Sequence, residues 1–204
     1  ANYLICATAG LINTAGYMPK PEWWTHHFKI TPADNVCHNY AQIYEGFIKF
    51  AFVLTFFSGI ESSIRQIFRT IYTSNSSSPV FRTIRTSNSS SSPMSFYRVY
   101  NSLLTGLQIQ GFMSSLNLFK EIRNASHNNG VYFNKDGDRT LEYRNTQYHF
   151  QNGKKLDFVS WHLILKIVED MFDMLVRIVS HQDIAAIEHI KDPYSDDFPN
   201  LDET

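Results

Sequence analysis

The chain has 204 residues, 43% apolar and 15% aromatic, with a formal charge of -1. That length and composition suit one globular domain with a real core, and the near-zero charge excludes any global electrostatic argument for nucleic acid, so such a partner needs a local basic patch. Cys6 and Cys37 are too few for a disulfide framework and read as reduced thiols of a cytosolic protein.

In chain order, Ala1 to Ala15 suits a short helix of small residues, and Tyr3 to Ile12 lacks the basic start of a signal peptide. Pro19, Pro21 and Pro32 break regularity around Trp23-Trp24-Thr25-His26-His27, which reads as an irregular segment laid over a hydrophobic surface. Asp34 or Asn35 can cap a helix from about Val36 to Tyr72. Tyr40, Ile43, Tyr44, Phe47, Ile48, Ala51 and Leu54 repeat at helical spacing, with Phe50, Phe52 and Val53 off that stripe. The very apolar run Phe47 to Ile60 is shorter than the about 20 residues a span needs, and it carries Lys49. It reads as a buried core helix, so no membrane partner is expected and the location is cytoplasmic. A helix this long predicts a kink or break near Ser58-Gly59. Near its end Arg65 and Arg69 lie one turn apart, as a solvated face or as phosphate contacts.

Phe68-Arg-Thr-Ile-Tyr-Thr-Ser-Asn-Ser-Ser-Ser returns 13 residues later as Phe81-Arg-Thr-Ile-Arg-Thr-Ser-Asn-Ser-Ser-Ser. One short duplication does not make a solenoid. Residues 73–95 read as a flexible Ser-rich connector between two long helices. Arg82 and Arg85 within it are candidate contacts to an RNA backbone. Asn75 and Asn88 open glycosylation sequons that read as accidents of composition.

A second helix is predicted from about Ser95 to His127, with Gly106 and Gly111 placed to let another backbone come close. Two long helices joined by a loop give an antiparallel pair. The fold class is therefore mainly α, a helical bundle with a small β-insertion. Phe112, Leu116 and Phe119 form a stripe that continues through Arg123 and His127 to Asn128-Asn129-Gly130, which can close a helix C-terminus. A stripe that turns from apolar to Arg and His puts two polar groups on one face, where they must be hydrogen-bonded or functional.

After Gly130 the period changes from 3.6 to 2. Asp136-Gly137 and Asn152-Gly153 signal turns of a small hairpin or meander over 131–158. Asn134, Asp136 and Asp138 have the spacing of a calcium loop, but Arg139 stands where glycine should and no bidentate Glu follows. A last long helix starts near Asp157 or Ser160, then a short one spans Asp183 to Ile190. The helical domain covers 1–190, and 191–204 is an acidic, Pro-broken tail.

Arg123-Asn124-Ala125-Ser126-His127, near the end of a helix in a helical chain, resembles the signature of the HEPN superfamily. Its members are helical bundles, often dimers, and many are metal-independent RNases of toxin–antitoxin, abortive-infection and CRISPR systems. Their motif is an Arg, commonly followed by Asn, Asp or His, then a His after four to six residues; here three intervene. The resemblance implies an endoribonuclease without cofactor or metal, acting as a homodimer on RNA, with a cognate antitoxin or defence-complex protein as a possible partner. It assigns catalysis to Arg123 and His127, with Asn124 in support.

The chemistry fits those residue types. Metal-free RNA cleavage needs a base for the 2′-hydroxyl, an acid for the leaving oxygen, and positive charge on the phosphorane. An imidazole serves either proton-transfer role, and a guanidinium fork suits phosphate oxygens. One copy is a thin site; two-fold pairing supplies two Arg–His sets. Two alternatives stay open. Arg123 and His127 can cap the negative end of the helix dipole in a non-catalytic module that binds a partner protein or RNA. A metal-binding bundle would draw on His26, His27, His38 or His162, which lack an i, i+4 pairing.

Overall fold

The computed structural model describes residues 10–14, 16–73, 78–86, 94–188 and 190, excepting the side chains of Asp34, Arg85 and Thr86. It is mainly helical, with one two-stranded sheet. The elements are α1 (Pro21–Phe28), α2 (Asp34–Thr73), α3 (Pro79–Thr86), α4 (Phe96–Gly106), a 3₁₀ turn (Gln110–Phe112), α5 (Met113–Ser126), β1 (Arg139–Tyr143), β2 (Thr146–Phe150), α6 (Trp161–Ser180) and α7 (Gln182–Ala185). The chain divides into two compact units. One takes Ala1–Phe56, Ile122–Asp138 and Gln151–Asp157; the other takes Phe57–Glu121, Arg139–Phe150 and Phe158–Thr204.

In the first unit the tryptophan–histidine segment is a helix, α1, where an irregular segment was expected. Pro21 sits at its start, where the missing N–H costs nothing, and Lys29 closes it in the left-handed region. Helix α1 buries none of its residues. Trp24 donates through Nε1 to the Met18 carbonyl at 2.6 Å, and its ring lies against Tyr40 with centroids 5.6 Å apart. The first half of α2 buries one stripe, Cys37, Ala41, Ile48 and Phe52, at helical spacing. Beyond α5, the loop is held by backbone bonds from Tyr132 N to Lys154 O and from Gly153 N to Tyr132 O. Leu156 N donates to Gly130 O in the same loop. Two side chains of the rejected calcium loop act as acceptors of backbone N–H groups. Asn134 Oδ1 accepts from Asp136 N, and Asp138 Oδ1 accepts from Asn152 N.

In the second unit both copies of the duplicated Phe-Arg-Thr-Ile are helical and bury the same two positions. Phe68 and Ile71 do so at the end of α2, Phe81 and Ile84 in α3. Residues 79–86 are thus a helix inside the stretch read as a connector, because Phe81 and Ile84 at i, i+3 supply an apolar edge. The sequons at Asn75 and Asn88 lie outside the described residues, as do Cys6 and the acidic tail.

The single helix expected from Ser95 to His127 is two. It ends at Gly106, Gln108 takes a left-handed φ of 59°, and a new helix begins at Met113. At Gly106 the nearest approach is a side chain: a Cβ there would stand 2.6 Å from Ile84 Cγ1, with the backbone oxygen of Val80 at 3.8 Å, whereas Gly111 has nothing within 4 Å. The hairpin turns on Arg144-Asn145, both left-handed (φ 48° and 61°), with Tyr143 paired to Thr146. That is the two-residue loop whose twist matches its strands. Ser160 caps α6 by accepting from Leu163 N at 3.2 Å, and Leu163, Ile164, Ile167, Met171, Met174 and Ile178 form its buried side.

Helix α2 runs without interruption, so Ser58-Gly59 makes no break in it. By length and composition it is long and apolar enough to cross a membrane. Its most apolar stretch has a mean hydropathy of 1.5 and is 33% buried. The length argument made from Phe47 to Ile60 alone therefore does not extend to the whole helix.

Candidate functional site

Arg123, Asn124 and His127 belong to the first unit and sit where α5 ends. The helix stops at Ser126 because Asn129 (φ 54°) and Gly130 (φ 82°) turn left-handed. Gly130 N reaches back to Ala125 O at 2.9 Å, and Asn128 N donates to the same oxygen. His127 N donates to Arg123 O at 3.4 Å. Asn128 Nδ2 donates to Asn124 O at 3.3 Å. The carbonyls of Arg123, Asn124 and Ala125 are therefore served by backbone N–H groups and one Asn side chain.

Arg123 is half-buried and donates through Nη1 to Asn124 Oδ1 at 3.3 Å. His127 is exposed, just beyond the last helical residue. The arrangement offers an imidazole open to solvent one turn beyond a guanidinium that its neighbouring amide helps to orient. Such a pair can hold an anionic oxygen and exchange a proton with water or a hydroxyl.

The four arginines proposed for RNA lie in the second unit and differ among themselves. Arg65 is committed locally. It holds Glu61 through Nε at 2.8 Å and Nη2 at 2.7 Å, donates to Met94 O at 3.2 Å, and lies over the Phe96 ring. Arg69 and Arg82 are exposed at equivalent positions of the duplicated unit. The side chain of Arg85 lies outside the described residues. Among the described residues no group of three or more His, Cys, Asp or Glu is placed to hold a metal ion.

Sequence reasoning missed two polar clusters of the second unit. Glu121, 5% exposed, accepts from Arg139 Nη1 at 2.7 Å and pairs with Lys120 at 3.1 Å. Asp170 accepts from Tyr143 Oη at 2.7 Å and from Arg144 Nη2 at 2.6 Å. A buried Glu next to Ile122 on α5 was the available signal for the first, since a charge between core positions demands a partner. Burial first, then the Asp170 carboxylate, pushes the Tyr143 phenol well above its ordinary range. Both clusters pin the hairpin to helices, so their role is structural.

No family model, curated protein or solved structure matches the chain.

Proposed function

We propose that the chain is a metal-independent endoribonuclease of the HEPN type, a helical bundle that works in pairs in the cytoplasm. Its setting would be prokaryotic defence or a toxin–antitoxin system, with RNA as substrate. His127 is the proton-transfer group, Arg123 the phosphate clamp, and Asn124 orients the guanidinium. The observation that carries this reading is the state of the α5 terminus. The carbonyls of Arg123, Asn124 and Ala125 have donors from the turn that follows, so none of the three depends on the His127 ring, and His127 is exposed.

The test is RNA cleavage by the purified chain in EDTA, with thermal melting run alongside. His127→Ala should lose about a hundredfold or more in rate, the usual share of a general acid or base, without a change in melting. Arg123→Ala should lose cleavage too. Cleavage at the original rate by His127→Ala overturns the assignment. RNA or protein binding with no cleavage by the unaltered chain favours a non-catalytic binding module instead.

A further inference from the structure

In the first half of α2, three stripes run side by side. Cys37, Ala41, Ile48 and Phe52 are buried, whereas His38, Gln42, Glu45 and Lys49 are polar. The third stripe, Val36, Tyr40, Ile43 and Phe47, is apolar at i, i+4, i+7, i+11, yet between 37% and 69% exposed. Phe28, 57% exposed, extends it through Trp24, whose ring meets both Phe28 and Tyr40. At the other end, Phe50 lies one turn beyond Phe47 and packs under Gly130. A Cβ on that glycine would stand 2.4 Å from Phe50 Cζ. The stripe therefore leads to the turn that carries His127.

We infer that this face, Phe28, Val36, Tyr40, Ile43 and Phe47, is where a second copy of the chain docks. The inference rests on the proposed function and names the surface that its pairing would use. Area favours it. At about 150–250 Å² for a whole aromatic side chain, and less for Val36 and Ile43, the five leave on the order of 500 Å² of apolar surface open. That is near the upper end of what a monomer carries, about 300–600 Å². A standard interface covers about 800 Å² per partner, and homodimer interfaces are about 65% apolar, which again asks for on the order of 500 Å². Charge agrees as well. The five residues include no ionisable group but the Tyr40 phenol, and Glu45 and Lys49, which flank Ile43 and Phe47 in sequence, pair with each other at 3.5 Å. Around Ile43 and Phe47, a two-fold contact of this surface with itself therefore meets a neutralised pair instead of bare like charges. A lipid surface fits less well, because helices that lie on membranes carry a Lys- and Arg-rich polar face. Here that face is His38, Gln42 and one neutralised pair.

The test is the mass in solution by light scattering, for the chain, for Ile43→Glu/Phe47→Glu, and for Phe172→Glu/Val176→Glu on α6. The second pair alters exposed apolar residues of the other unit. Each protein is also floated with phosphatidylglycerol-containing vesicles. The chain and the α6 variant should show twice 23.6 kDa, and the α2 variant 23.6 kDa with unchanged circular dichroism. A monomeric unaltered chain, dissociation by the α6 variant instead, or vesicle flotation that the α2 variant abolishes would each overturn the inference. If Glu at these positions disturbs folding, Phe47→Ser should still raise the dimer Kd about tenfold or more, and an unchanged Kd counts against docking here. A monomer that still cleaves RNA leaves the nuclease standing without this interface. A dimer that does not cleave leaves the interface standing without the nuclease.

Discussion

Arg139, on the first strand of the hairpin, donates through Nη1 to Oε1 of the buried Glu121 on α5, 2.7 Å away. Lys120 holds the same oxygen at 3.1 Å. Arg139→Met should destabilise the protein by about 1–3 kcal/mol, because a buried carboxylate loses its shorter partner. Lys120 and the partial exposure of Arg139 keep the loss below that of an orphaned ion. The urea midpoint measures it; an unchanged midpoint would show that Glu121 does not depend on the strand.

Tyr143 bears on alkaline stability. Its phenol has an ordinary value of 10.0 and is raised in the folded state, by burial and then by the Asp170 carboxylate that accepts its hydrogen bond. A raised pKa favours the protonated form in the fold. The contribution is complete below about pH 10, the unfolded value, and is lost as pH climbs toward the folded one. Tyr100 is raised in the same direction, chiefly by burial. Unfolding midpoints should therefore fall above about pH 10, and Tyr143→Phe should flatten part of that fall while costing about 1 kcal/mol at neutral pH. An alkaline slope identical in the variant would count against Tyr143 as its source.

Gly130→Ala should be among the most damaging single changes in the first unit. The residue has φ 82°, and the added Cβ would stand 2.4 Å from Phe50 Cζ and 2.7 Å from Cε2. The left-handed backbone alone costs roughly 1–2 kcal/mol, and the collision adds to it. Thermal melting reads the loss; a shift below about 2 °C would be too small for such a clash.

Gly106→Ala sets two effects against each other. Alanine is better than glycine in a helix by about 1 kcal/mol, but here its Cβ would stand 2.6 Å from Cγ1 of the buried Ile84. The clash should win, giving net destabilisation. Ile84→Ala, which empties the space, should make the double variant more stable than the two losses added together. Strict additivity would mean that the two positions do not touch.

What the sequence allowed to be read follows from the range of each signal. Helix α2 was legible because apolar residues recur at helical spacing for ten turns. The run from Phe47 read as buried, since Phe47 carries the same letter as core residues; only three-dimensional packing shows that it and Ile43 before it face outward. The close of α5 at Asn129-Gly130 was legible because left-handed backbone has a compositional signature. The break after Gly106 was not, because Gln108 in the left-handed region carries no such mark. The duplicated unit misled in its second copy. Ser and Asn tracts around residues 79–86 suggested a connector, while Phe81 and Ile84 repeated a pair already accepted as helical in α2. At the candidate site the sequence supplied Arg123, Asn124 and His127. It could not supply the satisfied carbonyls, which depend on how the chain turns after Ser126. The clusters at Glu121 and Asp170 join residues 18 and 26 or more positions apart, beyond the reach of any local pattern.

The turn at the end of α5 also governs how the protein ages. Asn-Gly steps lose their amide when the glycine nitrogen attacks the Asn side chain, and the chain has two of them, Asn129-Gly130 and Asn152-Gly153. In both, the attacking nitrogen is already a donor, Gly130 N to Ala125 O at 2.9 Å and Gly153 N to Tyr132 O at 2.7 Å. Folding thus disarms the two steps most prone to spontaneous deamidation, and the appearance of isoaspartate there clocks how often these turns come undone.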